Sequence, residues 1–193
     1  KTAYEMVERD WSSDVCSSDL AVVAIMDTGV DMLHPALSSN YRGNLGHGLF
    51  NHTASWFDTV NAGLYPYDDY GHGTHVAGTA VGSGGIGVAP GAQWIGVKVL
   101  SNAGYGYDSW IHAGFQWLLA PGGDPASAPD VVNNSWSSTA SSSTIFAEDI
   151  ALLQAAGILP LFAAGNNGPR SGSVGSPASN PGAFAVGASD PDE

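Results

Sequence analysis

Apolar residues in this chain fall in short unbroken runs, separated by segments whose apolar positions recur at helical spacing. Residues 21–26 (Ala-Val-Val-Ala-Ile-Met) form one such run. It is too short for a helix, ends in an acid, and reads as a strand covered on both faces. Residues 94–100, 130–136, 158–164 and 184–188 read the same way. Three segments between them read as helices. Residues 72–81 place Val76, Ala77 and Ala80 on one face. Residues 109–119 carry Trp110, Ala113, Phe115, Trp117 and Leu118. Residues 144–156 offer Ile145, Ile150, Leu152 and Leu153 to a core. Residues 31–71 hold Pro35, Gly43, Gly46, Gly48, Gly63 and Pro66 and are expected to be surface loops. The Ser-rich stretch 137–143 is also read as a loop.

Strands alternating with helix-length segments predict an α/β fold of three layers, a mostly parallel β-sheet with helices on both faces. In such sheets functional groups gather beyond the carboxyl ends of strands. Asp27, Ser135 and Asn166 all fall there.

Composition narrows the field. Hydrophobic residues make up 44% of the 193, enough for a real core. No apolar stretch approaches the length of a membrane span. With 18 acidic and 5 basic residues the net charge is −13, which argues against nucleic acid as a partner. The one cysteine, Cys16, excludes an intrachain disulfide. It lies in Arg-Asp-Trp-Ser-Ser-Asp-Val-Cys-Ser-Ser-Asp-Leu, a stretch without helical or strand period that resembles translated sequencing adapter. Residues 1–20 are therefore expected to be a non-native leader, and fold reasoning starts at residue 21.

The candidate chemistry sits in three places. Asp27 ends the first strand, in Asp-Thr-Gly-Val. His72 opens the first helix, in Tyr-Gly-His-Gly-Thr-His-Val-Ala-Gly-Thr. A buried carboxylate that orients an imidazole supplies two parts of a nucleophile-activating triad. Asn166, in Phe-Ala-Ala-Gly-Asn-Asn-Gly, follows an apolar strand, where its amide can donate to a developing oxyanion. Bland readings stand beside these: a strand-end acid capping a turn, two buried structural histidines (a reading that suits His75 better than His72), and a turn asparagine. An aspartic-protease reading of Asp-Thr-Gly needs a second such acid, and none occurs. A zinc reading of His72 and His75 lacks the neighbouring glutamate and further ligands, so no metal ligand is assigned. His34, His47, His52 and His112 have no companion motif and read as surface or packing residues.

Asp-Thr-Gly-Val, Gly-His-Gly-Thr-His-Val-Ala-Gly-Thr, Gly-Val-Ala-Pro-Gly-Ala, Val-Val-Asn-Asn-Ser-Trp and Ala-Ala-Gly-Asn occur here in the order and spacing of the subtilases, the subtilisin-like serine proteases. The resemblance covers residues 21 to about 190. It implies a partial subtilase catalytic domain over 21–193, incomplete at the C-terminus. It implies endopeptidase chemistry with Asp27 and His72 as triad members and Asn166 in the oxyanion hole. It also implies two substrate-binding edges, one including Gly104, Tyr105 and Gly106 and the other Ser135, Trp136 and Ser137. An extended polypeptide substrate would pair between them. A secreted, extracellular location follows from the resemblance alone, and an inhibitory propeptide is admitted as a partner.

Three departures qualify it. Ser137 and Ser138 stand where the family usually has glycines, and their β-carbons would narrow the primary specificity pocket. A short loop over 82–87, and Ala36 in place of an acid after His-Pro, weaken the usual calcium site; calcium stays open and no cofactor is assigned. No Gly-Thr-Ser-Met-Ala string, the family's nucleophile motif, occurs in the 193 residues. The chain is therefore read as a fragment lacking the serine and inactive alone. The alternative is a non-catalytic peptide-binding relative.

Overall fold

The computed structural model describes residues 21–138 and 143–189. The expected leader, residues 1–20, lies outside them, as does part of the Ser-rich loop.

The strands are β1 (Val22–Asp27), β2 (Asn44–Gly46), β3 (Leu49–Phe50), β4 (Trp56–Asp58), β5 (Gln93–Lys98), β6 (Val131–Asn134), β7 (Leu159–Ala163) and β8 (Phe184–Val186). The helices are α1 (His72–Val81), α2 (Asp108–Leu118) and α3 (Ala147–Ala155). Six strands form one sheet in the order β4-β5-β1-β6-β7-β8, and every pairing in it is parallel. β2 and β3 make a separate antiparallel hairpin.

The period-two alternation of strand side chains divides the core in two. Ala24 and Met26 of β1, with Ile95 and Val97 of β5, face α2 and α3 and meet Ile111, Phe115, Ile150 and Leu153. Ile25 and Trp94 face the other way, toward Ala77 and Val81 of α1. Helices therefore cover both faces, as the sequence predicts. On the α2/α3 side, Phe115 packs against Trp136, Phe146 and Phe162 with ring centroids 6.3, 5.9 and 6.3 Å away, mostly edge to face.

Several expectations are corrected. Residues 31–71 are more than surface loops: Leu37, Tyr41 and Trp56 are buried, and β4 is an edge strand of the main sheet. The segment folds back because β5 offers it both a free edge and a large ring. Tyr41 lies 4.5 Å from Trp94 between ring centroids, and Trp94 donates its indole N–H to the Leu37 carbonyl at 2.8 Å. Ile145 and Leu152 are largely exposed rather than core, and Phe146 fills the space instead. The three-residue step from Ile150 to Leu153 carries the buried face of α3.

Among the described residues one part of the sheet stays open. Asn133 and Leu161 share the α1 face with Ile25 through the register, and Phe184 continues that row. α1 packs over β1 and β5, so this row is only partly covered, and Phe184 and Val186 are 47% and 50% exposed. An apolar parallel edge with unpaired main-chain groups invites association. The 193-residue polypeptide is expected to elute above monomer size in light-scattering chromatography, and Val186→Lys to shift it toward monomer. Phe115→Ala, which empties the aromatic cluster, should lower unfolding free energy by about 3–5 kcal/mol in urea titrations.

Candidate active site

The parallel register brings the carboxyl ends of the strands to one edge. Asp27, the last residue of β1, is paired with Lys98, the last of β5, which is paired in turn with Asp58, the last of β4. α1 begins at His72 and packs against β1 and β5 at this edge. Two glycines permit it. Gly71 has φ +97°, a left-handed turn that only glycine adopts readily, and it aims the chain into the helix. A side chain at Gly73 would collide with the Gly29 carbonyl and come within 3.1 Å of the Asp27 β-carbon. The Gly-His-Gly spelling is what lets the helix start this close to the strand.

The result is a hydrogen bond of 2.7 Å between Asp27 Oδ1 and His72 Nδ1. Asp27 is fully buried, whereas the His72 side chain is 44% exposed. The Thr28 N–H also donates to Asp27 Oδ1, at 2.7 Å. Asp27 Oδ2 has no partner among the described residues. Burial pushes the Asp27 carboxyl above its ordinary value, opposed by the bonds from His72 and Thr28. The other ring nitrogen of His72 has no hydrogen-bond partner among the described residues. His75 points to solvent, so the reading of it as a buried structural histidine is wrong. The buried face of this ten-residue helix steps by four, through Gly73, Ala77 and Val81, and His75 falls off it.

Behind the pair lies a polar frame that the sequence reading missed. Asp68 accepts from the Thr28 hydroxyl at 2.9 Å, from the N–H groups of Tyr70 and Gly71, and from both the N–H and hydroxyl of Thr74. Burial alone would raise its pKa, but these donors hold it below the ordinary value. The Thr28 hydroxyl accepts in turn from the Gly73 N–H at 2.9 Å. Lys98 is fully buried. Its ammonium donates to the carbonyls of Thr28 and Leu100 and to Asp69, and it lies 5.2 Å from the Tyr67 ring centre. The available signal was the acid pair Asp68-Asp69 just ahead of Gly71, a turn-forming pattern.

The remaining candidates lie along the same edge. Asn166 is exposed, three residues beyond β7, which is the second strand from β1; the two strands are about 10 Å apart. Ser135 follows β6, and its hydroxyl accepts from Asn133 at 2.9 Å. The Trp136 indole donates to the Met26 carbonyl and packs in the aromatic cluster, which leaves only its main chain for a ligand. The Ser137 hydroxyl fills space beside Gly165 and Gly175. Gly104 has φ +75° and sits against the Tyr70 ring, so the turn carrying Tyr105 and Gly106 flanks the His72 loop. Tyr105 is 77% exposed. No cluster of three metal-ligating side chains occurs among the described residues.

Comparison with known proteins places these motifs. Residues 18–193 match the model of the subtilase family of peptidases. Bacillopeptidase F of Bacillus subtilis is 43% identical over 187 residues, covering 88% of this chain but 13% of that protein. Subtilisin E of the same organism is 38% identical over 174 residues, covering 86% of this chain and 40% of its own length. The chain thus spans less than half of these relatives. Among solved structures, a cold adapted subtilisin-like serine proteinase superposes with a TM-score of 0.72 at 28% identity, over 90% of this chain and 56% of that one. Motifs, sheet and relatives agree that the chain belongs to the subtilase family.

Proposed function

We propose that the whole protein is a secreted serine endopeptidase in which Asp27 and His72 are two members of a Ser-His-Asp triad. The observation that carries this is the 2.7 Å bond from a fully buried carboxylate to a half-exposed imidazole whose second nitrogen is open. Asp27 fixes the ring so that Nδ1 holds a proton and Nε2 is a free base. His72 then takes the proton of a serine hydroxyl as it attacks a peptide carbonyl, and the buried carboxylate stabilises the imidazolium. Asn166 donates its amide to the oxyanion that develops. Removing one such donor costs roughly 10²–10³ in kcat, a magnitude established on subtilisin.

The substrate is a polypeptide in extended form. The turn at Gly104, Tyr105 and Gly106 and the segment Ser135, Trp136 and Ser137 supply main-chain groups on either side of it. Ser137 and Ser138 bring β-carbons to the second edge, which favours smaller side chains there.

The nucleophile is proposed to lie outside these 193 residues. The isolated polypeptide should show no peptidase activity toward a chromogenic peptide, whereas the whole protein should cleave it and be blocked by a sulfonyl fluoride. Inhibitor-sensitive cleavage by the isolated polypeptide would overturn the assignment.

Asp27→Asn in the whole protein should lower kcat by roughly 10⁴ with little change in KM, because the amide allows the wrong tautomer. The same substitution tests the electrostatics. A carboxyl whose folded pKa is raised above 3.8 gives stability that is complete below that value and is lost as pH rises through the folded pKa. Ionised Asp27 therefore works against the fold at neutral pH. The stability of the Asp27→Asn variant relative to the native protein should improve from acid to neutral pH, read by urea unfolding across a pH series. Asp68 has the opposite sign: its contribution is present above 3.8 and lost as pH falls through its lowered value. Asp68→Ala should destabilise at neutral pH, and the difference from native should shrink in acid.

A further inference from the structure

We infer that Asn167 is a site of spontaneous deamidation, and that the carboxylate formed there slows the reaction assigned to the neighbouring Asn166. The second half rests on the proposed function; the first does not. Asn167-Gly168 is the sole Asn-Gly pair in the 193 residues. The reaction needs the amide nitrogen of the following residue to reach the asparagine side-chain carbonyl carbon. A β-carbon on that following residue obstructs the approach, and glycine has none.

The structure leaves this pair free to react. Residues 166, 167 and 168 are all exposed. Upstream the chain is tied down where Ala164 donates to the Val186 carbonyl at 2.8 Å and accepts from Gly175 at 2.9 Å; downstream Ser173 donates to Arg170. Between these ties, no main-chain or side-chain group of residues 165–168 is hydrogen-bonded to a described residue. Around Gly168 the nearest neighbour of an added β-carbon would be the Ser173 hydroxyl, 3.9 Å away. The two Asn-Ala pairs differ. Each has a β-carbon on the second residue, and Asn61 is also held by its own bond to the Tyr67 hydroxyl at 2.8 Å.

In the step itself, base removes the Gly168 amide proton and the nitrogen attacks Asn167 Cγ. A bond from Gly168 N to Cγ forms, and the bond from Cγ to Nδ2 breaks. Nδ2 leaves as ammonia after taking a proton from water. Water then opens the five-membered imide at either carbonyl, giving aspartate or isoaspartate. Both products add a negative charge one residue from Asn166, and isoaspartate also lengthens the main chain by one atom. Each opposes the placing of an amide donor against a developing oxyanion.

The test holds the 193-residue polypeptide in mildly alkaline buffer, folded and in denaturant. Peptide mapping by mass spectrometry and isoaspartate methyltransferase labelling follow the product. Conversion is expected at Asn167, with a folded rate within about tenfold of the denatured rate, as for a segment whose opening free energy is near zero. Asn167→Gln should abolish it. A folded rate slower than that, or label that persists in Asn167→Gln, would overturn the site. In the whole protease, kcat per titrated active site should fall as the product accumulates and hold steady in Asn167→Gln. Conversion without loss of kcat would overturn the link to Asn166 and leave the modification standing.

Discussion

The bond between Asp27 and His72 depends on a carboxylate kept out of water. Its position at the end of a central parallel strand makes that possible, because neighbouring strands and α1 close over it. Burial raises the pKa of the acid, and the fold answers with a donor from His72 and another from Thr28 on one oxygen. Thr28 links this pair to everything behind it. Its N–H serves Asp27, its carbonyl accepts from Lys98, and its hydroxyl sits between Gly73 and Asp68. Each polar group of that one residue fixes a different segment around the imidazole.

Asp58, Lys98 and Asp27 stand in one row across three strands, yet the buried ammonium does not bond either acid. Asp58 is satisfied by the N–H groups of Val60, Asn61 and Gly63 and by the Tyr67 hydroxyl. Lys98 spends its three donors on two carbonyls and Asp69. Removing one member of such a frame strands its partners without water, a loss larger than any one bond contributes when intact.

The central features were legible because they rest on short-range rules. Unbroken apolar runs mark doubly covered strands, and Asp27 and His72 sit at a strand end and a helix start that the pattern locates by itself. Residues 31–71 were misread because their fold comes from distant partners. Tyr41 is buried by Trp94, and β4 exists because β5 had a free edge. Asp68 and Lys98 were missed for the same reason: the acid pair ahead of Gly71 marks a turn, but neither it nor a lysine in an apolar run names the distant partners that Asp68 and Lys98 bond. His75 shows the converse, a motif residue whose neighbours in sequence suggested burial that the helix face does not provide.

The inward placing of positive groups has an effect at long range. Among the described residues the basic side chains are Arg42, Lys98 and Arg170. Lys98 is buried, and Arg42 is half-buried, donating to carbonyls of Ala54 and Ser127. Of these three only Arg170 is exposed, whereas Asp31, Asp108, Asp124, Asp130 and Glu148 are exposed among the described acids, so the described surface is acidic. Such a field attracts cationic peptides and repels anionic ones before any contact is made, over a reach of about 8 Å at physiological ionic strength. Any steering by that charge therefore belongs to dilute electrolyte, and brine erases it.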